Sequence, residues 1–113
     1  MGSGEEKAPR VTFRIVIAPE ALKFLRCLKD RRLREDLKKR IEGLSEEPEK
    51  KGKPLVAELI GFRSIRAGRY RIIYRVNLDR VEVVIVAVGK RCEGSREDIY
   101  TLARKLVRLH LTP

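Results

Sequence analysis

The chain has 113 residues and a formal net charge of +11, from 27 Lys and Arg against 16 Asp and Glu, with one His and two Cys. That length suits one domain that buries roughly two-thirds of the surface its unfolded form exposes, so a core needs no disulfide or metal staple. Cys27 and Cys92 show no CxxC or Cys/His ligand spacing, which argues against a disulfide framework or a zinc site, and the longest apolar run, Val83–Val88, is far below the ~20 residues of a membrane-spanning helix.

The opening residues 1–8, MGSGEEKA, are small, polar and aperiodic, and read as a frayed or tag-derived tail ahead of a single domain over residues 9–113. With no basic-then-apolar leader, a cytoplasmic protein without membrane contact is expected. Val11–Ile17 places Val11, Phe13, Ile15 and Ile17 on one side, the pattern of a half-buried strand. Pro19 suits a first helical position, and Glu20–Lys29 sets Ala21, Leu22, Phe24, Leu25 and Leu28 on one stripe. Arg32–Leu44 does the same with Leu33, Leu37, Ile41 and Leu44, so two short helices form a hairpin.

Glu46–Pro54, with two prolines, a glycine and six charges, reads as a solvated loop. Three strands are expected beyond it: Leu55–Ile60, continuing through Arg63–Arg66; Arg69–Val76, entered through a tight reversal at Gly68; and Val81–Val88. The turn Asn77–Arg80 makes the last two an antiparallel hairpin. Arg96–Leu109 carries Ile99, Leu102, Leu106 and Leu109 on one stripe of a closing helix. The order β-α-α-β-β-β-α implies an α+β domain, an antiparallel-rich sheet with its helices on one side.

Functional residues concentrate between Phe62 and Arg91. Arg63, Arg66, Arg69, Arg71 and Arg75 occur with no intervening Asp or Glu, and strand alternation sets arginines against Tyr70, Ile72, Tyr74 and Val76 on the other face. Crowded guanidinium groups repel one another unless a polyanion or an acidic protein relieves them; the alternative is a solvated face whose side chains lie along apolar neighbours. Gly89-Lys90-Arg91 ends the last strand where a hairpin brings Arg91 toward Arg69 or Arg71, and two arginines on one phosphate suit bidentate recognition. Tyr100 opens the closing helix, either covering the core beside Ile99 or offering a ring to a nucleobase. Glu97 and Asp98 read as first-turn acids favoured by the helix dipole, and His110 as incidental. Nucleophile–His–Asp sets, a P-loop and paired carboxylates are all missing from the sequence, which leaves cations and a phenol as the available chemistry.

Arg66-Ala67-Gly68-Arg69-Tyr70-Arg71-Ile72-Ile73-Tyr74 resembles the R-x-G-x-Y-R-x-x-Y core of the RelE/ParE toxin superfamily. Gly89-Lys90-Arg91 followed by Asp98-Ile99-Tyr100 resembles the closing elements of its RelE branch, and the likeness in element order runs from about Phe13 to Leu106. The resemblance implies the RelE-like microbial RNase fold and the toxin of a type II toxin–antitoxin system: a metal-independent, cofactor-free endoribonuclease that cuts mRNA in the ribosomal A site. It implies catalytic roles for Arg71, Arg91 and Tyr100, secondary phosphate contacts from Arg66 and Lys90, and an acidic antitoxin as partner, while the strand reading itself adds Arg63, Arg69 and Arg75 as phosphate-facing cations. Where that branch carries lysines, this chain has Phe62 and Ser64, so the general base is unassigned. A ParE-like inhibitor of DNA gyrase and a non-catalytic RNA- or antitoxin-binding module remain the alternatives.

Overall fold

The structure is a computed structural model that describes residues 11–111, with side chains to Leu109. The expected tail at 1–8 and the His110 side chain lie outside the described residues. Strand β1 (Arg14–Ile17) leads into helices α1 (Pro19–Cys27) and α2 (Arg31–Gly43), followed by β2 (Lys53–Pro54), β3 (Arg63–Ala67), β4 (Tyr70–Asn77), β5 (Glu82–Lys90) and α3 (Ile99–Leu111). The sheet order is β1-β5-β4-β3-β2, antiparallel except for β1 beside β5.

The mixed α+β architecture and the helical hairpin match the sequence reading; the placement of the helices does not. On one face Ile72, Tyr74, Val83 and Ile85 pack against Ala21 of α1 and Leu37 and Ile41 of α2. On the other, Ile73 and Ala87 pack against Ile99, Ala103 and Leu106 of α3. The sheet is therefore sandwiched, with helices on both sides rather than one. The unbroken apolar run of β5 feeds both layers, and a bulge where the register slips past Ile73/Tyr74 sends both Val86 and Ala87 toward α3.

Leu55–Ile60 is not a strand. Ala57–Leu59 forms a single 3₁₀ turn with Ala57 at φ 57°. Leu59 and Phe62, three residues apart, are buried against α3, while Val56 and Ile60 are about three-quarters exposed, at 77% and 74%. Burial at a spacing of three, rather than two, is why the run coils. The edge position goes instead to Lys53–Pro54, inside the expected loop, where proline needs no partner for its missing N–H. Strand β1 starts three residues late, since exposed Val11 makes no ladder bond and Thr12 makes only an isolated bridge to Glu46. Helix α3 also starts three residues late, and it buries Ile99, Ala103 and Leu106 while Leu102 and Leu109 face outward. The small Ala103 lets its axis lie close to the sheet.

Candidate nucleic-acid interface

The strand register sets a cationic row across three strands on the α3 face. Arg66 pairs with Arg71 between β3 and β4, and Arg71 pairs with Gly89 between β4 and β5. Directly opposed residues share a face, so Arg66, Arg71 and Gly89 lie side by side. The Arg91 amide donates to the Arg69 carbonyl at 3.1 Å, which carries the ladder past the end of β5 and puts Arg91 diagonal to Arg71. The Arg71 guanidinium leans toward the β3–β4 turn, with Nη1 3.1 Å from the carbonyls of Gly68 and Tyr70.

Gly89 is what admits α3 to this row: a Cβ there would stand 3.0 Å from Ile99 Cδ1. With that contact made, Tyr100 in the first turn lies over β3, its phenol oxygen 2.8 Å from the Ser64 hydroxyl. The Arg91 guanidinium carbon sits 4.8 Å from the centre of the Tyr100 ring, a cation–π contact. Its Nη1 is 2.5 Å from the carboxylate of Asp98, and its Nη2 is 3.3 Å from that of Glu93.

Asp98, 3% exposed, organises this end of the chain. Its carboxylate accepts from the amides of Cys92 at 2.6 Å and Tyr100 at 3.1 Å, and its carbonyl accepts from Leu102, so it is the N-cap of α3 rather than a first-turn residue. Burial works against its charge, but Arg91 and the two amides outweigh that penalty and hold the carboxyl below its ordinary range. The same Asp98 hydrogen bond raises Arg91 above its already high value. Beside the pair opens a cleft of about 520 Å³ lined by Arg91, Arg96, Asp98, Tyr100 and Arg104.

Of the remaining cations only Arg75 shares this face, so the arginines are split between the two sides of the sheet rather than gathered on one as alternation suggested. Arg63 pairs with Tyr74 on the α2 side, where its Nε donates to the Lys51 carbonyl at 2.8 Å. The Tyr74 hydroxyl reaches the same carbonyl at 2.6 Å; burial raises this phenol above its ordinary range, with Arg63 offsetting part of the effect. Arg63 thus clamps the 48–53 loop to the sheet. Arg75 does lie on the α3 face, four residues along β4 from Arg71, where it packs over Phe62 with 5.9 Å from its guanidinium carbon to the ring centre. Arg69 and Lys90 line a separate cleft of about 710 Å³ beneath α2, with Asp30, Asp36, Lys39 and Arg40.

Reading the sequence alone missed Ser64 as the partner of Tyr100, Asp98 as the partner of Arg91, and Arg96 and Arg104 as walls of the cleft. Only Asp98 carried a usable signal, an Asp immediately before an apolar-periodic run. Among the described residues, no three His, Cys, Asp or Glu side chains cluster as metal ligands, and no helix is long and apolar enough to cross a membrane.

Residues 15–93 match the family described as the ParE toxin of the type II toxin–antitoxin system parDE. The chain belongs to this family. Within the wider RelE/ParE superfamily it is 46% identical over 50 residues to Toxin RelG of Mycobacterium tuberculosis, a match spanning 44% of this chain and 58% of that relative's length. A chain of the toxin–antitoxin complex RelBE2 from the same organism superposes with a TM-score of 0.64 at 34% identity, covering 75% of this chain and 98% of that one. The isolated E. coli RelE toxin gives 0.62 at 29% identity, covering 84% and 98% respectively. The fold and the family are those the sequence motifs implied.

Proposed function

We propose that this family member is a ribosome-dependent endoribonuclease acting on mRNA, with Arg71, Arg91 and Tyr100 as its catalytic residues. The observation that supports the reading best is the row Arg66, Arg71, Arg91, set beside a phenol at the mouth of an open cationic cleft. In the reaction, a ribose 2′-oxygen attacks the adjacent phosphorus while the bond from phosphorus to the 5′-oxygen breaks. The products are a 2′,3′-cyclic phosphate and a 5′-hydroxyl; the 2′-hydroxyl proton leaves to a base and the departing oxygen gains one. Charge builds on the non-bridging oxygens between these events. Arg71 and Arg91, diagonal neighbours on one face, stabilise that charge, and fixed donors of this kind are each worth about 3–4 kcal/mol.

Tyr100 offers the edge of its ring to a splayed base, and Arg66 adds a phosphate contact at the end of the row. Arg69 and Lys90, on the α2 side of the same sheet end, contact phosphates farther along the RNA. An acidic antitoxin fits the net charge as the neutralising partner, and the similarity to toxin–antitoxin complexes supports it. The test is primer extension on a defined message in a reconstituted translation system. Cuts inside A-site codons, present with ribosomes and missing without them, are expected; arrested translation with intact message contradicts the proposal. The match to a family described by ParE favours one second reading, inhibition of DNA gyrase. A supercoiling assay with purified gyrase distinguishes the two.

A further inference from the structure

Arg91 has a carboxylate on each outer nitrogen, and the two differ in every property that decides what they do. Asp98 is nearly sealed from solvent, with 4% of its side chain exposed, lies 2.5 Å from Nη1, and is itself fixed by the amides of Cys92 and Tyr100. Glu93 has 84% of its side chain exposed, stands 3.3 Å from Nη2 beside Gly94, which has φ +80°, and among the described residues Arg91 alone is within ion-pairing reach of its carboxylate. The guanidinium carbon also lies over the Tyr100 ring, 4.8 Å from its centre. Of the two outer nitrogens, Nη2 is therefore the one whose present partner, the exposed Glu93, an oxyanion entering from the cleft can replace.

We propose that the two carboxylates divide the work: Asp98 is a positioning residue that locks Arg91 and Tyr100 into one preformed unit, and Glu93 is a placeholder that the scissile phosphate displaces. This rests on the nuclease reading above and adds to it how the phosphate is admitted. Removing the Asp98 charge leaves Arg91 free to rotate off the ring, so the loss falls on the chemical step. Misplacement of a group by an ångström costs on the order of 100-fold. Removing Glu93 deletes a competitor for Nη2, so the effect falls on binding and is favourable. An exposed pair of this kind is worth roughly a 2-fold to 5-fold change.

The test is ribosome-dependent cleavage by wild type, Asp98→Asn and Glu93→Ala. Asparagine caps a helix as well as aspartate does, so the first variant keeps α3. Expected are a kcat about 100-fold lower with little change in KM for Asp98→Asn, and a KM roughly 2-fold to 5-fold lower with unchanged kcat for Glu93→Ala. Asp98→Asn at wild-type kcat, or Glu93→Ala with unchanged or raised KM, overturns the proposal. Two spectroscopic readouts stand apart from activity. Arg91 in wild type should give slowed guanidinium rotation in NMR spectra, and a 3-fluorotyrosine signal, assigned through Tyr100→Phe, should shift in Asp98→Asn but not in Glu93→Ala. A freely rotating Arg91 in wild type contradicts the proposal even should Asp98→Asn fail to fold. A wild type that cleaves nothing removes the nuclease reading, while the spectra still decide whether Asp98 holds the pair.

Discussion

The Ser64 hydroxyl and the Tyr100 phenol lie 2.8 Å apart and join β3 to the first turn of α3 across 36 positions of chain. Ser64 is 6% exposed and Tyr100 is half-buried, so the bond satisfies a serine hydroxyl largely removed from water. Ser64→Ala and Tyr100→Phe are each expected to cost about 1 kcal/mol in urea unfolding. The double variant should cost less than the sum of the two, and strict additivity would show that the pair is not formed.

Arg63 and Arg66 are three residues apart yet face opposite sides of the sheet. Arg63→Ala removes the donor to the Lys51 carbonyl and should lower stability by about 1–2 kcal/mol while leaving the salt dependence of RNA binding unchanged. Arg66→Ala should leave stability nearly unchanged and reduce the slope of log affinity against log salt by about 0.7, the value for one phosphate contact on a single strand. Binding isotherms across a salt series, read beside unfolding curves, check both.

Asp98 has a depressed carboxyl pKa in the folded chain, so its contribution to stability is complete above its unfolded value of about 4 and is lost as pH falls through the lower folded value. Asp98→Asn should therefore be less stable than wild type at pH 7, and the gap should close as the solution is taken below about pH 4. Denaturant midpoints for the two proteins across that range measure it. A gap that widens in acid would mean the carboxylate is not paired as described.

Gly52 has φ +66°, and a Cβ there would meet the Ser64 carbonyl oxygen at 2.5 Å. The obstacle is backbone, which cannot rotate away. Gly52→Ala is expected to destabilise by at least about 2 kcal/mol and to loosen the 48–53 loop from β3. Hydrogen exchange at the β2–β3 ladder gives the readout.

Most of the fold was legible because its elements have clean periods. Leu33, Leu37 and Ile41 announce α2, the alternation from Tyr70 to Val76 announces β4, and Gly68 takes the left-handed conformation its reversal needs, at φ +63°. Where reading failed, two signals competed. Leu55–Ile60 is apolar enough for a strand, but its buried members Leu59 and Phe62 obey a spacing of three, which appears only once α3 is in place. The second helical layer was foreshadowed by the unbroken run Val83–Val88, since a strand with one wet face would alternate. At the site, the parity of Arg63 and Arg66 was available in the sequence, whereas the union of Ser64, Arg91, Asp98 and Tyr100 depends on how α3 docks on Gly89, which local patterns do not encode.

The central claim is that Arg71, diagonal to Arg91 on the α3 face, stabilises charge on an RNA phosphate as it reacts. Single-turnover cleavage of ribosome-bound message by wild type and Arg71→Ala tests it most directly, with folding verified by circular dichroism. The account predicts a rate lower by about 100-fold to 1,000-fold in the variant. Equal rates for the two proteins would contradict it.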